Sequence, residues 1–412
     1  MWLCHHVQRR RRERMKKDNP VPAPLSDPLM SDPLALAQAL LRCPSVTPLD
    51  AGAQSVLAEA LRAQGFTVTQ LPFGDIANFY AKRVGPRSGP HLCFAGHTDV
   101  VPPGDAPWSV DAFAGEVHDG VLIGRGACDM KGAIASFVAA CAARPDHHGT
   151  ISLLITGDEE GVATDGTVRV LDWMRQAGEI PDFCVVGEPT NPGRLGEVIK
   201  IGRRGSLNAT LTVRGRQGHV AYPHRADNPL PRLVAALHAL TTTRLDDGME
   251  GFEPSSLQLT TVDVGNPATN VIPEQAQARL NIRFNPLHRG DDLTRWLRGI
   301  VQDHAPDAVI DIAISGEAFV TDPDRDPRPG TSHGIAALRM AIQRITGLSP
   351  RLDTGGGTSD ARFITHLCPV VEFGLVGATM HQRDEAVAVR DLRDLTGIYE
   401  ALLDFYLGKD SA

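Results

Sequence analysis

The feature that most constrains this chain is a repeated sentence structure. Short apolar runs alternate with helical segments, and the runs end in glycine followed by His, Asp or Glu. His91–Ala95 leads into Gly96-His97-Thr98-Asp99, and Thr150–Thr156 into Gly157-Asp158-Glu159-Glu160-Gly161. Phe183–Val186 leads into Gly187-Glu188, and Pro369–Phe373 into Gly374 and then His381. Between the first two lies a glycine-rich turn, Gly124 to Gly132, with Asp129 near the start of an expected helix at Met130–Ala143. Expected helices at Pro33–Arg42, Ala51–Gln64 and Thr164–Ala177 complete the alternation. Elements in this order form a mostly parallel sheet flanked by helices, an α/β fold. Ligands of such sheets gather beyond the carboxyl ends of the strands. One acidic loop is ordinarily a solvated turn. Five His/Asp/Glu positions converging on one sheet edge ask for another explanation.

The texture changes near Gly205. Ser206–Val213, Ser256–Val264 and Ala276–Phe284 alternate apolar with polar residues, and Pro229–Thr242 and Leu293–Asp303 carry helical spacing. With Ala308–Ile314 they spell β-α-β-β-α-β, the order of a ferredoxin-like α+β sandwich. The expected architecture is therefore one α/β domain, residues 31–204 and 319–408, interrupted by an inserted domain at 205–318.

Charge and cysteine narrow the function classes. The chain carries a net charge of −8, yet its first 17 residues hold seven Lys/Arg against one acid. The Pro-rich stretch that follows cannot bury enough surface to order itself, so residues 1–30 are expected to be a disordered tail, with Met15 and Met30 as alternative starts. No apolar stretch follows the basic residues as a secretory signal requires, and no apolar run spans a membrane. Seven scattered cysteines without a C-x-x-C pair fit a reducing cytoplasm. The expectation is a cytoplasmic protein with no nucleic-acid and no membrane partner. Gly355–Gly357 lacks a following G-K-[ST], no G-x-G-x-x-G opens a helix, and no G-x-S-x-G elbow is present. Nucleotide binding and serine-hydrolase chemistry are thereby disfavoured.

Two histidines with three carboxylates form an N/O donor set suited to zinc, cobalt or manganese. An odd number of carboxylates allows one to bridge two metals. Adjacent Glu159 and Glu160 allow one to bind metal while the other serves as general base. A histidine two residues from an aspartate, as in His97 and Asp99, suits a ligand whose second ring nitrogen is held by an acid.

The strings FAGHTDVVPPGD (94–105), GRGACDMKG (124–132), TGDEEG (156–161), VVGEPT (185–190), GRRGSLN (202–208), GHVAYPH (218–224), TNVIP (269–273), GGGTSDARF (355–363) and ATMH (378–381) resemble the M20 metallopeptidase family, over about residues 31–408. The resemblance implies a zinc-peptidase-like catalytic domain and an inserted dimerisation (lid) domain. It implies two zinc ions per subunit, with cobalt able to substitute. His97 and Glu188 would hold one ion, Glu160 and His381 the other, with Asp129 bridging. Asp99 would orient His97, and Glu159 would be the general base and acid. His219 would reach the partner's active site across a homodimer and stabilise an oxyanion, accompanied by Asn270.

The implied reaction is hydrolysis of N-succinyl-LL-2,6-diaminopimelate, in lysine and diaminopimelate biosynthesis. The alternative is an acetylornithine deacetylase-like enzyme, or another N-acyl amino acid deacylase or dipeptidase of the family. Arginine forks bind carboxylates bidentately, which makes Arg203, Arg204 and Arg283 candidates. The family pattern favours Arg203 and Arg283, with Ser206, Gly357 and Thr358 nearby. Three departures stand out: Gly377 where the family commonly has Asn, Thr269 in TNVIP, and Cys128 beside Asp129.

Overall fold

The computed structural model describes residues 31–408. The expected tail of residues 1–30 lies outside the described residues. The larger sheet has eight strands, ordered Thr67–Gln70, Phe79–Val84, His148–Thr156, Arg87–His97, Phe183–Val186, Val370–Glu372, Val198–Lys200 and Arg351–Asp353. Its central members run parallel, and antiparallel pairs lie toward the outside and next to Val198–Lys200.

Both faces of this sheet are covered, and the alternation of side chains shows how. Leu92, Phe94, Leu153, Phe183 and Val185 pack with Phe137, Leu338 and Tyr399 on one face. Cys93, Ala95, Leu154, Cys184 and Val186 pack with Val170, Met174 and Ile364 on the other. Helices Gly132–Ala142, Gly330–Thr346 and Val389–Leu407 supply the first layer, and Thr167–Ala177 the second. Phe94, Phe137 and Tyr399 meet ring to ring, and the Tyr399 hydroxyl donates to the Phe373 carbonyl at 2.7 Å. A strand buried on both faces reads as a continuous apolar run, as Phe183–Val186 does.

The smaller sheet is antiparallel, ordered Ser256–Asp263, Gln275–Phe284, Gly205–Arg214 and Val309–Gly316. In chain order this is the 4-1-3-2 arrangement read from its far edge, that of a ferredoxin-like sandwich. Helices Leu230–Thr242 and Gly290–His304 cover one face, where Leu207, Leu211, Leu237, Leu240 and Leu297 are buried. The opposite face carries Asn208, Thr210, Thr212, Arg279, Asn281 and Arg283. The two sheets are joined by a neck in which Gly202–Arg203 pairs antiparallel with Phe319–Val320.

Three elements differ from expectation for identifiable reasons. The helix expected from Met130 begins at Gly132, because residues 127–131 form an irregular turn with Asp129 at φ −124°, ψ 92°. The helix expected from Thr164 begins at Thr167, because the Asp158 carboxylate takes the N–H groups of Thr164 and Asp165. The strand around His91–Ala95 runs on to His97, carrying that side chain on the sheet itself.

Candidate metal centre

Strand register brings the candidate ligands together. His97 pairs with Thr156, Ala95 with Val186, and Val186 with Glu372. The turns after these strands therefore leave the sheet at one level, delivering Glu159, Glu160 and Glu188 beside His97. Asp129 comes from above. Its loop sits close because the strands end in glycine: a Cβ on Gly96 would lie 2.7 Å from Met130 Cε, and one on Gly187 would meet the same atom at 2.7 Å. The Met130 side chain thus fills space that only glycine leaves open.

Asp129 stands between two imidazoles. Its Oδ1 is 3.2 Å from His97 Nε2, and its Oδ2 is 3.0 Å from His381 Nε2. His381 Nε2 is also 2.9 Å from Glu160 Oε1, and His97 Nε2 is 4.0 Å from Glu188 Oε1. Donor atoms of His97, Asp129 and Glu160 lie within 4.8 Å of one another, as do those of His97, Glu159 and Glu188. Glu188 Oε1 is buried without a hydrogen-bond partner. A buried carboxylate oxygen left unbonded is costly unless a cation satisfies it. The donor set and this orphaned oxygen fit divalent metal.

The electrostatics agree. Burial works against a charged His97, yet its bond to Asp129 and the nearby acids hold its pKa well above the usual histidine value. Bonds to Asp129 and Glu160 raise His381 to about 10. Burial works against a charged Asp129, but its bonds to His381 and His97 keep it well below the ordinary carboxylate range. Burial, reinforced by Asp129 and Glu159, pushes Glu188 well up. Burial also pushes Glu159 to about 8, with Asp360, Glu160 and Asp129 adding to the rise against His97. A field that favours two imidazolium ions among crowded acids is a field that favours bound cations.

Asp99 meets His97 chiefly through its backbone. His97 Nδ1 is 2.8 Å from the Asp99 backbone carbonyl, whereas the Asp99 carboxylate is 3.7 Å away. The carbonyl fixes Nδ1 as the donor and leaves Nε2 toward the cluster. The carboxylate instead accepts the backbone N–H groups of Glu159, at 3.3 Å, and Glu160, at 3.0 Å. One residue therefore orients a ligand through its backbone and the glutamate pair through its side chain.

Arg203 is already engaged within the chain. It is not a free fork: Nε donates to Glu372 Oε1 at 2.9 Å, Nη2 bonds Glu372 Oε2, and Nη1 donates to the Gly355 carbonyl at 2.9 Å. Burial made a paired guanidinium necessary there, and Glu372 also accepts from Ser359 at 2.6 Å. Arg203 thus braces the 355–359 loop. Arg204 pairs with Glu253. Ser206, which is buried, and Arg283 are cross-strand partners on the polar side of the smaller sheet, and Gly357 and Thr358 lie in the braced loop. His219 and Asn270 sit together on a separate two-stranded tip, where His219 Nδ1 accepts from Ala221 and the Asn270 carbonyl from Val220. Within one chain the structure does not bring this tip into the cluster of donor atoms.

The sequence reading missed Glu385. Fully buried, it accepts from Arg125 Nη1 at 2.7 Å, Cys128 N at 3.0 Å and Asp129 N at 3.2 Å. Arg125 in turn reaches toward the His381 carbonyl. The pair clasps the Asp129 loop to the His381 loop. Its signal was available, an acid four residues beyond His381, but only the fold shows what it binds. Cys128 packs against the same carboxylate, at 3.2 Å, and burial raises its thiol pKa well above the usual value. Gly377 also has a local reason, since a Cβ there would lie 2.9 Å from the Pro189 carbonyl oxygen.

A cluster of this kind at a strand edge, with one acid between two histidines and a raised carboxyl beside it, defines a metal-dependent hydrolase. The chain belongs to Peptidase family M20/M25/M40, whose profile matches residues 93–404. It is 99% identical over 383 residues to the succinyl-diaminopimelate desuccinylase of Granulibacter bethesdensis, covering 93% of this chain and 100% of that protein. It is 60% identical over 389 residues to the desuccinylase of Gluconacetobacter diazotrophicus, covering 92% and 98%. Among solved structures it resembles the M20 metallo-carboxypeptidase Sso-CP2 of Sulfolobus solfataricus, with TM-score 0.72, 16% identity, and coverage of 92% and 99%. It also resembles the YXEP protein of Bacillus subtilis, described as a dinuclear metal binding peptidase, with TM-score 0.68, 15% identity, and coverage of 91% and 97%.

Proposed function

We propose that this chain hydrolyses N-succinyl-LL-2,6-diaminopimelate to succinate and LL-2,6-diaminopimelate, in lysine and diaminopimelate biosynthesis. The observation that carries the chemistry is Asp129 poised between His97 and His381, with Glu159 alongside. Similarity to the desuccinylases carries the substrate.

His97 and Glu188 would hold one divalent ion, Glu160 and His381 the other, and Asp129 both. Zinc is the proposed metal, with cobalt able to substitute. Bound there, the ions supply Lewis acidity that acidifies water and polarises an amide carbonyl. Glu159 takes the proton of the attacking water and returns it to the departing nitrogen, so the amide bond breaks with no net change in the enzyme. Half-buried beside His97, its carboxyl is suited to hold that proton between the two transfers. Asp99 keeps the glutamate pair in register. Ser206, Arg283, Gly357 and Thr358 hold the substrate.

The working form in this reading is a cytoplasmic homodimer. Its inserted domain carries His219 and Asn270 into the partner's site, where His219 stabilises the oxyanion. Two observations support a paired insertion: the tip lies apart from its own cluster, and the sheet edge at Ser256–Asp263 is exposed. The test of the reaction is purified protein with zinc, assayed on succinyl-diaminopimelate beside acetylornithine. Faster turnover of acetylornithine would reassign the substrate and leave the metal chemistry in place.

A further inference from the structure

The substrate proposed above carries carboxylates at both ends, so its binding cleft needs cations. The cleft beside the metal centre offers about 600 Å³ and is lined by Glu159, Glu160, Ser315, Thr358, Arg362 and Phe363, among others. Arg362 is the one cation among the described residues lining it. With Arg203 committed to Glu372, Arg362 becomes the arginine of interest on this wall.

Its guanidinium is held, but not satisfied. Nη1 donates to Thr358 Oγ1 at 3.1 Å, and the group lies over the Phe363 ring at 4.4 Å. Its stem passes under the end of the inserted sheet, where a Cβ on Gly316 would lie 2.8 Å from Arg362 Cδ. The nearby Asp360 carboxylate accepts from Thr167 at 2.6 Å. Nε is buried and has no hydrogen-bond partner. The side of a guanidinium formed by Nε and Nη2 is one that takes a carboxylate through two parallel bonds. A buried N–H without an acceptor is unfavourable until a ligand supplies one.

We infer that Arg362 binds substrate directly. Its guanidinium, on the cleft wall, takes one of the two carboxylates distal to the scissile amide, either the succinyl terminus or the far α-carboxylate of the diamino acid. The inference rests on the desuccinylase reading and adds to it a residue that fixes which acyl amino acids are accepted. Thr358 then has a second task, holding the fork in plane.

Steady-state kinetics of zinc-loaded wild type, R362K and R362Q on three substrates test this. They are succinyl-diaminopimelate, N-butyryl-diaminopimelate, which lacks the acyl carboxylate, and Nα-succinyl-lysine, which lacks the far one. On the full substrate R362Q should raise KM about 10- to 100-fold, the range for a lost charged hydrogen bond, with kcat largely kept. R362K, with charge but no fork, should fall between. The penalty should disappear on butyryl-diaminopimelate if the succinyl end is bound, or on succinyl-lysine if the far end is. An unchanged KM on the full substrate, or one penalty common to all three, overturns the inference. Thermal melting of each variant separates loss of fold from loss of contact, and R362K carries the test if R362Q melts early. Wild type inactive on succinyl-diaminopimelate would remove the underlying reading, whereas active wild type with an indifferent R362Q removes this inference alone.

Discussion

The two sheets of this molecule solve opposite problems. The eight-stranded sheet is buried on both faces, so its strand ends are fixed by packing on either side and by parallel register. The four-stranded sheet is covered on one face and presents polar side chains on the other. A site needing several ligands placed within tenths of an ångström is found at the edge of the first. A surface that must meet something else is found on the second. Rigidity is concentrated where chemistry is done, and the open face is left to the part proposed to contact substrate and a partner.

The sharpest way to break that division is to remove the proposed proton carrier from the edge of the first sheet and the proposed oxyanion donor from the two-stranded tip of the inserted domain. E159Q should lower kcat by about 10²- to 10⁴-fold, the usual range for a general base, while metal content by elemental analysis stays near that of wild type. H219A should lower kcat by about 10²- to 10³-fold. Mixing the two inactive variants and allowing subunits to exchange should restore activity, because one site of each hybrid then has both residues intact. Failure to recover activity in proven hybrids would place His219 in service of its own subunit, or of none.

A second contrast is between buried and exposed charge. Glu385 and Arg125 are both almost fully buried and tie two ligand loops together. E385Q leaves a buried guanidinium uncompensated, and should destabilise the fold by about 3–5 kcal/mol, read from denaturant midpoints. Asp292 and Arg295 pair on the outside of the inserted domain, and D292N should change stability by no more than about 1 kcal/mol. Equal losses from the two would mean that the clasp is not what holds the catalytic edge.

Much of this was legible in the sequence, and the two sheets were legible for different reasons. Alternation at Ala276–Phe284 identified a half-covered strand, because side chains two apart share a face. The continuous runs at Phe183–Val186 and Thr150–Thr156 identified strands buried on both sides. The glycines after them marked a sheet edge, and His97, Asp129, Glu159, Glu160, Glu188 and His381 followed from the chemistry placed there. What was not legible was pairing across long separations. That Arg203 would be taken by Glu372, 169 residues away, depends on which strands become neighbours. The same holds for Glu385 beneath Asp129, 256 residues apart. Orientation was equally hidden, since sequence puts Asp99 near His97 without saying whether carbonyl or carboxylate faces the ring.

Asp99 offers a finer probe of the catalytic edge. D99A keeps the backbone carbonyl that fixes His97 but removes the acceptor for the N–H groups of Glu159 and Glu160. The glutamate turn should loosen while His97 keeps its orientation. Metal affinity should fall about 10- to 100-fold, as for other partners that orient a ligand. Competition with a chelator of known strength measures it. The proposed roles predict the larger loss for the ion held by Glu160 and His381. A larger loss of the ion held by His97 and Glu188 would mean that Asp99 acts through His97 instead.

The smallest expected effect on folding, and the most direct question to the inserted domain, comes from its exposed edge. Val262, on the outermost strand Ser256–Asp263, is 54% exposed, and Val234, on the neighbouring helix Leu230–Thr242, is 62% exposed. An edge strand presents unpaired N–H and C=O groups, and apolar side chains beside it add attraction for a second copy. In an isolated chain V262D removes little packing, so stability should change by no more than about 0.5 kcal/mol. In a dimer joined along this edge, two aspartates would be buried close together, and their desolvation and repulsion should drive the protein to monomers in sedimentation. Activity should fall with the dimer, because each site would lose the partner's His219. A V262D protein that stays dimeric and active would move the interface elsewhere on the insertion, and a wild type that sediments as a monomer would end the shared-site reading.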